Sequence, residues 1–265
     1  LAAAQPKPAS PLSGRKRWLL MGLVVGPVCL GGLYALQNKL PWGLGAASRC
    51  FSAPLLKLPP QSGAEAEAFR QDFRQRFPLP PELVNLSTPA VTHLDELEAL
   101  WRCQPSRSQA DPVFFKTAWE LILHSPLNDY TVASAINLMS WTQPHYPQLL
   151  DLMKFAVERY HTLNSVSSWD QPGRVAAGLV EKYARRLNLQ GEHQQALPWL
   201  EQILRERETE INDHQLQLLS YEYAYALWKN GQPEEALQVL QHALSAYPEG
   251  SWDEKLQKLQ QDIGK

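Results

Sequence analysis

The chain has 265 residues and a formal net charge of −2, enough for one medium domain with an additional segment or for two small domains. A nearly balanced charge leaves no electrostatic footprint for nucleic acid. Three cysteines, none in a CxxC or Cys/His arrangement, give no support to a zinc site, and no metal or cofactor is expected.

The N-terminal residues 1–14 are rich in Ala, Pro and Ser and lack acidic side chains. With Arg15-Lys16-Arg17 they make a disordered basic tail over 1–17. Trp18 to Leu36 then carries no charge, and its length is about the minimum that crosses a bilayer as a helix. Trp18, Tyr34 and Trp42 fit the interfacial preference of aromatics. The basic cluster holds the N-terminus in the cytoplasm, so 18–36 reads as a transmembrane helix. A cleaved signal peptide, with Ala35 or Ala47 near the cut, is the rival reading. Both readings export everything after about residue 40. They place the soluble part outside the cytoplasm, in a bacterial inner-membrane and periplasmic setting. Gly22 and Gly26 have the small-xxx-small spacing of membrane-helix contacts, although such glycines are also ordinary membrane-helix composition. In an oxidising compartment Cys50 and Cys103 either pair or remain thiols; spacing does not decide between them.

Residues 37–110 read as a linker or stalk with short helices. Pro41, Pro54, Pro59 and Pro60 break up residues 40–62. Phe69, Phe73 and Phe77 recur every fourth residue, predicting a helix over 64–77 that Pro78, Pro80 and Pro81 stop. A second short helix fits 92–102, with Leu94, Leu97, Leu100 and Trp101 on one side and His93, Asp95, Glu96 and Glu98 on a solvated side. Asn85-Leu86-Ser87 forms a glycosylation sequon, meaningful only in a eukaryotic lumen.

The helical domain is expected over 111–265. Asp111-Pro112 is a cap followed by proline in the first turn. Asn128 or Asp129 opens the next helix, Pro147 a third, and a fourth runs from about 173 to 188, after a polar turn over 162–172. No stretch alternates like a strand, and connections are short. The fold class is therefore all-α: an N-terminal transmembrane helix, then an array of helical hairpins.

The last third repeats itself. YARRLNLQGEHQQALPWLEQIL surrounds Gly191, and YAYALWKNGQPEEALQVLQHALSAYP surrounds Gly231. Aligned on those glycines, Tyr183 matches Tyr223, Ala184 matches Ala224, Leu187 matches Leu227, Ala196 matches Ala236, and Leu200 matches Leu240. The glycines end a helix where a left-handed residue is needed, and the alanines allow two helices to approach. With Ala243 and Pro248 added, the second copy resembles the tetratricopeptide repeat (TPR) family. The first copy departs from the pattern at Ile203 and Glu208. The clearest repeats span 175–210 and 215–250, and weaker resemblance extends over about 112–265. The two glycines lie farther apart than the usual TPR period, predicting a longer second helix in the first repeat. Pro198, inside that helix, predicts a kink or a delayed start. Ser251 and Glu254 have capping-box spacing, and Trp252, Leu256, Leu259 and Ile263 form the stripe of a C-terminal capping helix.

No catalytic motif is legible. The histidines lack HExxH spacing, and GxGxxG, Walker and GxSxG patterns are missing. The RERETE run at 205–210 reads as a solvated helix face. The resemblance implies a concave groove that binds protein partners, lined here by Glu181, Arg185 and Asn188 and by Leu218, Tyr221, Tyr225, Trp228 and Lys229. Leu218, Tyr221 and Tyr225 equally suit packing against a neighbouring hairpin or the capping helix. The expected function is a non-enzymatic, membrane-anchored scaffold for assembly, quality control or secretion of an envelope complex. The alternatives are an accessory structural subunit of a membrane complex and an enzyme with an unrecognised site.

Overall fold

The computed structural model describes residues 59–103, 111–142, 145–164, 171–247 and 250–265. The expected membrane span 18–36, the linker to residue 58, Cys29, Cys50 and Pro248 lie outside the described residues. Among the described residues every regular element is helical, and no helix is long and apolar enough to cross a membrane. In chain order they are α1 (Ala64–Arg76), α2 (Pro81–Val84), α3 (Leu94–Arg102), α4 (Pro112–His124), α5 (Asp129–Thr142) and α6 (Leu149–Tyr160). Then come α7 (Pro172–Gln190), α8 (His193–Arg207), a 3-10 turn (Glu208–Glu210), α9 (Asp213–Lys229), α10 (Pro233–Ala246) and α11 (Asp253–Ile263).

Local chemistry explains the boundaries. Asp111 Oδ1 accepts from the Phe114 N–H at 2.9 Å, Asn128 Oδ1 from Thr131 at 3.0 Å, and Asn212 Oδ1 from Gln215 at 2.9 Å. Each satisfies one orphan donor of a first turn. Helices α7 and α9 stop in the same way. Gly191 and Gly231 take left-handed φ values of 80° and 79°. The next residues, Glu192 and Gln232, donate back to the Leu187 and Leu227 carbonyls, both at 2.9 Å. This is the Schellman arrangement, repeated at two equivalent places.

The turns fold α8 onto α7 and α10 onto α9. Ala184, Ala196, Ala224 and Ala236 are fully buried, with Leu200 and Leu240 filling the space beside them. Helices α5, α7 and α9 lie side by side, and α11 packs on α9 and α10. Leu256 and Leu259 of α11 are buried there, as expected of a capping helix. Gly178 of α7 meets the Asn137 amide of α5, which a Cβ at that position would approach to 3.0 Å.

Several expectations are corrected. The capping box of Ser251 and Glu254 does not form: Trp252 is the N-cap, and Ser251 Oγ pairs with His214 Nδ1 at 2.8 Å. The buried Gln217 organises this end instead. Its amide nitrogen donates to Tyr247 O at 2.9 Å and Asp253 Oδ1 at 2.7 Å, and its oxygen accepts from the Trp252 N–H at 2.7 Å. A Cβ on Gly250 would overlap that amide. Helix α8 is continuous through Pro198 and starts without delay; Gln194 and Pro198 are both exposed, so water can serve the carbonyl left without a donor. The extra residues between the two glycines do not lengthen α8, which has 15 residues against 14 in α10; they form the 3-10 turn. Arg207, within the run read as solvated, is buried, donating to Leu163 O at 2.6 Å. Glu96 is also buried rather than wet, because its carboxylate accepts from the N–H groups of Thr92 and His93 at the start of α3.

The stretch from Pro59 to Cys103 is packed where the sequence suggested a stalk. Phe73 and Phe77 are buried against Phe155, and Trp119 donates to Phe77 O at 3.0 Å. Gln61 bonds to His124 O and Leu127 N, and the Lys116 ammonium donates to Val84 O and Leu86 O. One-turn α2 forms at the proline cluster because Pro81 suits a first helical position.

Replacing Gln217 with Leu should cost about 2–4 kcal/mol in urea denaturation, since it strands buried backbone groups. Hydrogen exchange in α11 should accelerate before that of α7. Gly231→Ala should cost about 1 kcal/mol through backbone strain alone, because open space surrounds the position.

Candidate functional site

The first helices of successive hairpins present their polar and aromatic residues at helical spacing. Glu181, Arg185 and Asn188 share one stripe of α7, and Leu218, Tyr221, Tyr225 and Trp228 share one of α9. The two stripes and the start of α11 enclose an open cleft of about 330 Å³. It is lined by Arg185, Asn188, Leu189, Tyr221, Glu222, Tyr225, Trp252 and Lys255.

Four of the expected groove residues, Arg185, Asn188, Tyr221 and Tyr225, line this cleft. Tyr221 packs edge-on against Trp252, with ring centroids 5.5 Å apart, so it both touches the capping helix and walls the cleft. Tyr225 stands between His193 at 5.7 Å and Trp228 at 6.1 Å. Trp228 lies next to the cleft rather than in its lining, with the Lys229 ammonium 3.7 Å from its ring centroid. Glu181 lies below the surface, and Leu218 is half-buried outside the lining.

The floor is a buried polar bridge between α7 and α9. The Asn188 amide donates to Glu222 O at 3.1 Å and to Glu222 Oε2 at 2.9 Å, and Asn188 Oδ1 faces His193 Nδ1 at 3.2 Å. Arg185 reaches Glu181 and Glu222, each at 3.9 Å, and remains about half exposed. Burial pushes the Glu222 carboxyl up to about 7, and nearby Glu181 adds to the rise; the Asn188 hydrogen bond and Arg185 oppose it.

The stripe continues onto α5. The Lys182 ammonium donates to Asn137 Oδ1 at 2.7 Å and sits 4.6 Å from the Trp141 ring centroid, and burial lowers its pKa. Trp141 and Leu189 are large apolar side chains left exposed, the latter at 77%. Sequence reasoning missed Leu189, Glu222, Trp252 and Lys255. Glu222 sits beside an expected residue, but its burial depends on α7. Trp252 and Lys255 belong to the capping helix, which was read only as a cover. The signal that could have found them is their place one turn apart at the start of α11.

A larger cleft, about 560 Å³, lies between residues 127–130 and 159–164. Its arginine is already engaged: Arg159 is 3.6 Å from Asp129 and stacks on Phe69 and Tyr160. Among the described residues no group of His, Cys, Asp and Glu is arranged to hold a metal ion.

Since its carboxyl binds protons more strongly folded than unfolded, Glu222 stabilises least at high pH. Its contribution is complete below about 4.5 and is lost as pH rises through about 7. Glu222→Gln should therefore melt higher than wild type near pH 8, by about 1–3 kcal/mol of stability. The gap should close toward pH 5, and parallel melting curves at both pH values would disprove the assignment. Comparisons of the chain with family models, with curated proteins and with solved structures return no match.

Proposed function

We propose that this protein is a membrane-anchored scaffold that binds another protein in the cleft between α7 and α9. The carrying observation is the composition of that cleft: half-exposed Tyr221, Tyr225 and Trp252 beside Arg185 and Lys255, on a rigid floor of hydrogen-bonded Asn188 and Glu222. Aromatic side chains and arginine supply most of the energy at protein interfaces. Presented from packed helices, they lose little further freedom on binding. The TPR resemblance supports the same reading, since the Gly191 and Gly231 turns share one hydrogen-bond pattern and create two equivalent hairpins.

The anchor is the apolar run 18–36, with the helical array on the extracytoplasmic side. Cys103 is disulfide-bonded, which favours an oxidising compartment for the array. With Cys29 inside the proposed span, Cys50 is the expected partner. Peptide mapping without reductant should recover a Cys50–Cys103 pair; a different pairing, or free thiols in freshly isolated membranes, would argue against this placement.

The direct test compares wild type with Arg185→Glu/Trp228→Ala in affinity capture from gently solubilised membranes, after both show equal helical circular dichroism. A partner held by wild type and lost by the variant supports the cleft. Unchanged capture would move the binding surface elsewhere.

A further inference from the structure

The cleft offers charge of one sign to a visitor, and this inference rests on reading it as a docking site. Lys255 is exposed, its ammonium 3.5 Å from the Trp252 ring centroid, and Arg185 is about half exposed. The guanidinium is 3.9 Å from Glu181 and from Glu222, too long for a hydrogen bond to either. Glu181 and Glu222 are only 6% and 5% exposed, so a cationic ligand meets Arg185 before it meets them. Asp262, which acts on Tyr221 from α11, is tied to Lys265 at 2.9 Å. Charge complementarity therefore favours an anionic visitor with apolar neighbours for Tyr221 and Tyr225.

We propose that the cleft captures a carboxylate-bearing segment of a partner protein through Arg185 and Lys255, and that Arg185, drawn away from Glu181 and Glu222, leaves Glu222 to take up a proton from solvent. Capture is then coupled to acidification. The physical reason is the pair of buried carboxylates on facing helices. Arg185 lies 3.9 Å from each, Lys182 is a second cation for Glu181, and Asn188 contributes one hydrogen bond to the Glu222 carboxylate. When a ligand carboxylate engages Arg185, the buried Glu222 loses that counter-charge while Glu181 keeps Lys182 at 3.9 Å, and protonating Glu222 relieves the cost. Glu222 is the group placed to respond, because burial already holds its carboxyl at about 7. The groups around it are Glu181, Arg185 and Asn188 from α7, with Lys182 beside Glu181, His193 of α8 through Asn188, and Lys255 of α11 across the cleft. His193 titrates below its ordinary value, through burial and Lys229.

The test selects displayed random short peptides on the full chain in detergent micelles at about pH 6, then measures the enriched peptide by fluorescence anisotropy at about pH 6 and about pH 8. Acidic peptides should be enriched and should be lost with Arg185→Gln. Binding should tighten about fivefold, and by no more than about tenfold, from the higher pH to the lower, as uptake of one proton by a carboxyl that already titrates at about 7 allows. In Glu222→Gln, shown to fold by circular dichroism, the ratio of affinities at the two pH values should fall to about one. Enriched basic or uncharged peptides that are lost with Tyr225→Ala would keep the cleft as a docking site and overturn the anionic ligand. A pH dependence that survives in Glu222→Gln would overturn the proton coupling and point to His193. Peptides insensitive to both Arg185 and Tyr225, or no enrichment at all, would overturn the docking reading and this inference with it.

Discussion

Two helices of a hairpin can touch along their length only where their backbones are allowed to approach, and only if the turn between them reverses within a few residues. Both conditions meet at Gly191 and Gly231. A left-handed glycine ends the helix and sends the chain back within two residues. Fully buried Ala184 and Ala196, and Ala224 and Ala236, then keep the paired helices close. A larger side chain at those alanines would push the helices apart, and the stripes of α7 and α9 would no longer face a common space.

Given that spacing, the cleft follows from what each first helix carries. Asn188 and Glu222 are hydrogen-bonded across the join and buried, so they set the register between hairpins. The residues one turn away remain at the surface. Burying a carboxylate is costly unless it is partnered. Here the partners are one amide and an arginine that is itself half outside, which leaves Glu222 near neutrality in its titration. A polar floor that specifies packing thus also makes the site sensitive to charge arriving from outside.

The ends of the array are closed by different means. At the C-terminal side α11 covers α9 and α10, and Gln217 ties the start of α11 to Tyr247 O. At the other side α1 and the chain after it lie over α4 and α6, held by Phe73, Phe77 and Phe155 and by the long reach of Lys116. Exposed faces of a helical stack need such covers, since an end hairpin has no next neighbour to bury its apolar side.

The sequence by itself determined the all-helical class, most helix boundaries and the repeat around the two glycines, because these rest on local signals: 3.6-residue periodicity, Asp and Asn caps, and a left-handed glycine. Helical spacing put Arg185 in line with Asn188 on one helix and Tyr221 in line with Tyr225 on another, while the expectation that both pairs line one groove rested on the TPR resemblance. Only the tertiary structure decided that Glu96, Arg207 and Glu222 are buried, that Gln217 replaces the Ser251–Glu254 capping box, and that Trp252 and Lys255 complete the cleft. Those facts depend on groups contributed by distant parts of the chain. A polar side chain reads as solvated until a neighbouring element supplies its hydrogen bond, and no local pattern carries that information.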